Sequence, residues 1–455
     1  VKLKSFIKKD FNLMELFRGG AIALGFKFLS VFIGYFFFWI LAKWLGADGV
    51  GIFSTAWTIL MIGAVFGKIG FDTSIVKFIA GSIGRKDQHH VRPIYRYSIS
   101  IVGINAMLVA GILYIFAQPI SSLFFNSGEY TNIVRIIAIT VVPLSILNIN
   151  AESLKALKNI TAFSIFQNSS IYLAIIIIML FLTNYGITNE TSIFALGIGA
   201  SLLMLISFIV VFANFRKKLH NNPDKPAYQF NFKKTIGISL PMMLTNSLFL
   251  IMSWMDILML SAFKSDADVG IYNTSLKISA VISIALIAIN SIALPKYAEL
   301  FEKKDMTGFR KVVKQTSFLN FGLSLPVFLL ILLVPGFLLG IFGEEFIAGK
   351  MSLIILSIGQ IFSAFSGSTI HVLNMTGKEN AAKNILITTA LLNLVLNYLL
   401  VPKYGINGAA IATAISTVIW NLLAEISIYR HLKFLTYPLI SVRRAKDLRN
   451  KIMDK

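Results

Sequence analysis

Nine ionisable side chains lie inside long apolar stretches of this chain: Lys27, Lys68, Asp72, Lys77, Arg135, Glu152, Asp256, Lys277 and Glu425. A cation at the centre of a membrane helix costs about 3 kcal/mol on insertion scales. Such a cost selects for a wet cavity, an opposite charge, or a head group that reaches back to the surface. Lys27 lies roughly 12 Å into the first apolar run and shares a small, polar helical stripe with Gly20, Ser30 and Gly34. It faces a cavity or snorkels to the inner surface. Lys68 and Asp72 are four apart. They are either a self-neutralising pair that makes the helix insertable, or a pair that parts when an anion or a proton arrives. Lys277 and Asp256 stand on successive runs and either pair with each other or act separately, with Asp256 as a proton or sodium site. Arg135 lies near an outer helix end, where snorkelling competes with anion binding. Glu152 and Glu425 complete the candidate ion-coupling set with Asp72 and Asp256.

Neutral polar side chains form a second pattern. Gln360, Ser363, Gly367, His371 and Asn374 recur at spacings of three and four, one continuous helical face over about four turns. A face that long lines a cavity or bonds to neighbouring helices. Asn393 with Asn397, and Asn421 with Glu425, add shorter stripes. Of the five histidines, His371 alone falls within an apolar run, either as a packing residue or as a proton-responsive group. No catalytic constellation is present: there is no Walker loop and no HExxH, and the connections on one side are short. With no cysteine, disulfides and thiolate metal sites are excluded. No cofactor and no metal are expected, although coupling to a proton or sodium gradient is open.

The elements that must position these groups are membrane helices. Hydrophobic residues make up 56% and charged residues 14%, against roughly 25% charged in soluble domains. About twelve apolar runs are each long enough to span roughly 30 Å of hydrocarbon. The second covers 52–80, the fourth 132–153 and the tenth 351–373 as unbroken helices. With the amino terminus inside, 33 of the 42 lysines and arginines fall on inner segments and four on outer ones; five lie within spans. This bias places both termini in the cytoplasm and explains the net charge of +21 as a topology signal rather than a nucleic-acid footprint.

The chain repeats itself. Val50-Gly51-Ile52-Phe53 returns as Val269-Gly270-Ile271-Tyr272, and Tyr185-Gly186-Ile187 as Tyr404-Gly405-Ile406, both at an offset of 219 residues. Six spans per half make the repeat parallel. The expected organisation is an N-terminal interfacial segment (1–18), a six-helix lobe (19–214), a cytoplasmic linker (215–234), a second six-helix lobe (235–430) and a basic tail (431–455). The charges are not copied. At the same offset Lys27 maps to Asn246, Lys68 to Ile287, Asp72 to Ser291 and Glu152 to His371.

Three segments carry a resemblance. Trp44–Phe53 resembles the junction after the first helix of polysaccharide-transport flippases, Gly70–Ala80 the end of their second helix, and Leu399–Ala412 their eleventh-to-twelfth junction. The chain therefore resembles the Wzx-type O-antigen and polysaccharide flippases of the multidrug/oligosaccharidyl-lipid/polysaccharide exporter superfamily, over nearly its whole length. The resemblance implies an all-α, V-shaped pair of six-helix bundles around a central cavity in the cell membrane. It implies movement of an isoprenyl-diphosphate-linked oligosaccharide from the inner to the outer leaflet by a non-enzymatic monomer, working among membrane lipids and beside a polymerase or glycosyltransferases. Lys27, Lys68, Lys277 and Arg135 would then attract the diphosphate. Gln360, Ser363, His371, Asn374, Asn393, Asn397 and Asn421 would line the path. Lipid II flippases are similar but carry two further helices. The rival readings are an ion-coupled drug antiporter of the same superfamily, a membrane polymerase or glycosyltransferase, and a scaffold.

Overall fold

The computed structural model describes residues 11–85, 87–125, 127–182, 186–218 and 232–437. Most of the expected linker (219–231), the first ten residues and the tail beyond 437 lie outside them. Every regular element among the described residues is helical. They are α1 (Phe11–Lys68), α2 (Phe71–Gly84), α3 (Val91–Ile115), α4 (Ala117–Phe124), α5 (Thr131–Ala156), α6 (Ile160–Ser164), α7 (Ser170–Leu182) and α8 (Asn189–Lys218) in the first half. The second half holds α9 (Phe232–Phe263), α10 (Asp266–Ala280), α11 (Ile284–Glu302), α12 (Met306–Leu333), α13 (Pro335–Gly340), α14 (Lys350–Ser366), α15 (Thr369–Met375) and α16 (Glu379–Leu432).

Eight of the described helical stretches are long and apolar enough to cross a membrane. Two of these, in α1 and α16, are each a pair of helices turned at a non-helical glycine, Gly46 and Gly405. A further candidate is the α6–α7 pair, bent by 52° around a π-turn at Ile165–Ser169. Apolar helices of this kind satisfy their own backbone amides, which is what a hydrocarbon environment demands.

The described residues divide into two compact units. The first is drawn from 1–275, 336–350 and 394–409, the second from 276–335, 351–393 and 410–455. In the first, α5 is the central helix, buried along most of its length and packed by α1, α2, α3 and α8. Its polar side chains are paired: Tyr95 donates to Asn150 Oδ1 (2.7 Å), and Asn150 Nδ2 donates to Ser207 Oγ (2.7 Å). Each unit has an apolar core. Ile94 and Leu154 are buried in one; Val313 and Leu373, both 219 residues later, are buried in the other.

Two expected helices are broken at a left-handed glycine. The second span is not continuous over 52–80: α1 ends at Lys68, Ile69 (φ 45°) and Gly70 (φ 73°) turn left-handed, and α2 begins at Phe71. The tenth is not continuous over 351–373: α14 ends at Ser366, Gly367 has φ 76°, and α15 begins at Thr369. Glycine adopts that backbone without a Cβ clash, so Gly70 and Gly367 are where these helices break.

Candidate functional site

The clearest geometry is a junction between the copied motifs, within the first unit. A Cβ on Gly51 would lie 1.7 Å from the Asp266 carbonyl oxygen, and one on Gly270 would lie 2.0 Å from the Ala47 carbonyl oxygen. The two glycines, 219 residues apart, therefore let two helix backbones touch. One turn further on, Asn273 Nδ2 donates to Ser54 Oγ at 2.6 Å, again across an offset of 219. Beside this contact, Glu345 Oε1 accepts the Ala47 N–H at 2.6 Å. That carboxylate caps the helix that starts after Gly46, where the amide dipoles favour negative charge. Trp39 Nε1 donates to the Ile341 carbonyl (3.1 Å) and Lys264 Nζ to the Pro402 carbonyl (3.1 Å) at the same end of this unit.

Toward the opposite end of α1 sits a charged cluster. Lys68 Nζ pairs with Asp72 Oδ2 at 3.0 Å across the helix break, with side chains 13% and 30% exposed. Glu152 pairs with Lys155 at 3.0 Å. The two pairs lie within electrostatic reach of each other. Asn105 on α3 donates to the carbonyls of Phe66 (2.7 Å) and Gly67 (2.9 Å), satisfying acceptors at the end of α1 that have no helical partner. Asp72 Oδ1 accepts the Thr73 N–H (2.8 Å). The α2 side is held by Ser239 of α9, which donates to Ser74 Oγ at 2.7 Å.

Asp256 is buried and accepts from Tyr272 Oη (2.7 Å) and Asn397 Nδ2 (2.7 Å). Asn397 thus belongs to this buried group. Lys277 is half-buried on α10, one turn beyond Asn273. Lys27 is exposed on α1. Arg135 is exposed and lies over the Tyr114 ring, 5.5 Å from its centroid.

The polar face expected over 360–374 is cut by the break at Gly367. Gln360 accepts from Ser283, and Ser363 is buried before the break; His371 and Asn374 are exposed beyond it. Periodicity of 3.6 does not carry through a left-handed residue, so the five positions do not share one face. Asn393 is buried, with Thr413 Oγ1 3.5 Å from its Nδ2. Asn421 accepts from Thr369 Oγ1 (3.1 Å) and donates to the Thr417 carbonyl. Glu425 is buried against Thr436, which lies beyond the last helix.

Sequence reasoning missed three features. Glu345 stands in a short connection between helices, where acids are ordinary. Asn105 is a lone asparagine on α3, and only its place opposite the broken helix gives it a task. A cluster of rings also escaped: Tyr172 on α7 stacks on Trp57 (5.6 Å, 28°) and Phe37 (5.2 Å, 28°) of α1. The aromatic run Tyr35–Trp39 was its visible signal.

Residues 16–301 match the family model described as polysaccharide biosynthesis protein. The chain belongs to that family. Residues 241–399 also match the MatE model, which places this member of the polysaccharide biosynthesis family in the multidrug/oligosaccharidyl-lipid/polysaccharide exporter superfamily. Among curated relatives, a Shigella flexneri protein carrying the name of an O-antigen transporter is 26% identical over 85% of this chain and 91% of its own length. The capsular polysaccharide biosynthesis protein CapF of Staphylococcus aureus is 26% identical, covering 69% and 78%. A Haloferax volcanii protein named for a low-salt glycan biosynthesis flippase, Agl15, is 27% identical, and the match spans only half of its length (50%) and 53% of this chain. Two solved structures share the fold. A lipid II flippase in an inward closed conformation has a TM-score of 0.73 at 16% identity, over 90% of this chain and 87% of that one. An inward-facing multidrug transporter has 0.70 at 14%, over 90% and 94%. With eight described helical stretches able to cross a membrane, the chain is a multi-pass membrane protein of this family.

Proposed function

We propose that this chain flips an isoprenyl-diphosphate-linked oligosaccharide from the inner to the outer leaflet by alternating access. In this reading twelve spans form two lobes, 19–214 and 235–430, with the linker 215–234 and both termini in the cytoplasm, and the protein works as a monomer. One observation carries it: residues 219 apart meet at the expected outer end, Gly51 on Gly270 and Ser54 on Asn273. Two copied halves that touch there through bare backbone can rock about that contact. The relatives named for O-antigen, capsule and glycan transport support the substrate class.

The path between the lobes would be partly cationic. Lys27, Lys68 and Lys277 would draw the diphosphate, with Arg135 nearer the outside. One unit pair at 4 Å contributes about 4 kcal/mol at an effective dielectric of 20, enough to offset a lysine's insertion cost. Lys68 would leave Asp72 as the anion arrives. The Trp57 and Tyr172 rings, with Asn and Gln side chains, offer surfaces for sugars, while the lipid tail stays in the bilayer. Replacing Lys27, Lys68 and Lys277 together by Gln should abolish appearance of the lipid-linked sugar in the outer leaflet of vesicles while leaving insertion intact. Undiminished flipping by that triple variant sinks the reading.

Asp256 favours a second reading. A buried carboxylate held by Tyr272 and Asn397 suits a proton or sodium ion, as in a coupled drug antiporter, with Asp72, Glu152 and Glu425 as further candidates. Extrusion of an organic cation from vesicles, lost in Asp256→Asn, would favour it over the flippase.

A further inference from the structure

The chain does not leave the protein at the end of α16. Lys433 turns left-handed (φ 56°), and residues 433–437 fold back on the second unit as a strap. Beyond the exposed Lys433 its side chains are buried or half-buried, unlike the free basic tail expected from 431 onward. Phe434 is buried edge-on against Phe309 of α12 (6.0 Å, 89°), and Tyr437 stacks on Phe365 of α14 (5.6 Å, 18°). Arg310 of α12 donates to the Leu432 carbonyl at 2.9 Å and lies over the Phe434 ring.

At the centre is Thr436, fully buried. Its N–H donates to Glu425 Oε2 at 3.1 Å. Its hydroxyl oxygen stands 2.5 Å from the Ser366 carbonyl oxygen and also within bonding distance of Glu425 Oε1. Ser366 is the last residue of α14, so its carbonyl is one of those a helix end leaves without a partner. Asn320 satisfies the neighbouring Ala364 carbonyl at 2.8 Å. The strap therefore completes the break at Gly367.

The hydrogens do not add up for an ionised Glu425. A threonine hydroxyl has one proton to give. Here it faces two oxygens, a carbonyl and a carboxylate, both acceptors. If the hydroxyl donates to Glu425, the buried Ser366 carbonyl confronts a lone pair. If it donates to Ser366, an ionised Oε1 confronts a lone pair. Only a protonated Glu425 closes the chain: carboxylic O–H to Thr436 Oγ1, Thr436 O–H to the Ser366 carbonyl, and Thr436 N–H to Oε2. Unpaired buried acceptors are costly, so the arrangement selects the protonated form.

We propose that Glu425 is a proton-binding site whose occupancy decides whether the 433–437 strap stays clamped on the helix break at Gly367. The charged and titratable groups on the packed elements have other engagements. Arg310 is on Leu432 and Phe434, His431 Nδ1 is against the Ser427 carbonyl, Tyr437 is on Phe365, Tyr297 is on Thr316, Lys314 is half-buried on α12, and His371, Lys311, Arg430 and Lys433 are exposed. With the proton bound, strap and break are one hydrogen-bonded piece. With it lost, Glu425 takes the hydroxyl's hydrogen, Ser366 is left without a donor, and the end of α14 is released from the strap. The site does not depend on what the transporter carries.

Hydrogen–deuterium exchange of the full-length protein in lipid nanodiscs tests it, on the strap peptide and with rates corrected for intrinsic pH dependence. From about pH 5 to about pH 9, wild-type strap protection should fall about tenfold per unit once Glu425 ionises. Glu425→Gln, which keeps a donor beside Thr436, should stay protected throughout; Thr436→Val should be unprotected at every pH. Wild-type protection that does not change with pH, or that changes identically in Glu425→Gln, overturns the proposal. Infrared spectra of wild-type protein carrying 13C-glutamate give a check that needs no glutamate variant. A protonated carboxyl band should be present at low pH, vanish as pH rises, and shift in Thr436→Val. Its absence at low pH overturns the proposal equally.

Discussion

The second span of each half is interrupted, and the two interruptions are built differently. In the N-terminal half the break is a left-handed step at Ile69 and Gly70, flanked by the Lys68–Asp72 ion pair. In the C-terminal half the helix only tightens into a 3-10 turn at Val281–Ser283, with Lys277 one turn before it. Each is pinned by the third span at matching positions. Asn105 donates to Phe66 and Gly67, and Ser324, 219 residues later, donates to the Ile282 carbonyl at 2.7 Å. The copied part is a polar side chain that tends a loosened helix. The part that is not copied is the Lys68–Asp72 ion pair, which straddles the N-terminal break.

The largest effect tests what the halves share. Gly51→Ala and Gly270→Ala each place a methyl inside a backbone contact and should destabilise the junction by about 1–3 kcal/mol. Both should abolish transport, with thermal unfolding of the purified protein lowered to a similar degree. A harmless substitution on one side alone would show that the two glycines are not equivalent. Next, Asn105→Ala strands two carbonyls and Ser324→Ala one. The former should cost about 1–3 kcal/mol and the latter about half as much, read in denaturation midpoints. Equal costs would mean that the N-terminal break needs no special support. Smaller again is Asn150→Ala in the Tyr95–Asn150–Ser207 chain. Hydrogen bonds between membrane helices average about 0.6 kcal/mol, so a loss near 1 kcal/mol with transport retained is expected.

The smallest effect concerns a carboxylate unlike Glu425. Glu299, exposed at the end of α11, accepts from Lys296 (2.8 Å) and Lys303 (2.6 Å), which hold it well below the usual carboxylate range, at about 2. A depressed value means that any stability it contributes is present above the unfolded carboxylate range and lost only as pH falls toward 2. Solvent screening leaves such a pair little weight. Glu299→Gln should leave the unfolding midpoint at neutral pH unchanged within error; a clear drop would show that these lysines are structural.

The helical class and the repeat were legible because they are written in long patterns. Apolar length and the 219 offset survive any local irregularity. The Lys68–Asp72 pair was legible from its spacing of four, even though the helix between them breaks. The breaks themselves were not, because glycine in a membrane helix is common and Gly70 or Gly367 looks no different from Gly63 or Gly359. The stripe from Gln360 to Asn374 failed for that reason: its residues were read correctly, but its geometry assumed an unbroken helix. The strap was hidden by its neighbours, since Thr436 and Tyr437 stand beside a run of basic residues that suggests solvent.

In a symmetric dimer, a residue meets its own copy only on the two-fold axis, and whatever sits there must bond to itself. Gly51 with Gly270, and Ser54 with Asn273, occupy such axial positions within a single chain. The glycines have stayed identical, as backbone contact requires. The next pair has not: a serine oxygen now accepts from an asparagine amide, a match of unlike partners that two identical subunits could not place on their axis. Joining the halves covalently freed this position from self-complementarity, and each side of the axis can change without forcing the same change on the other.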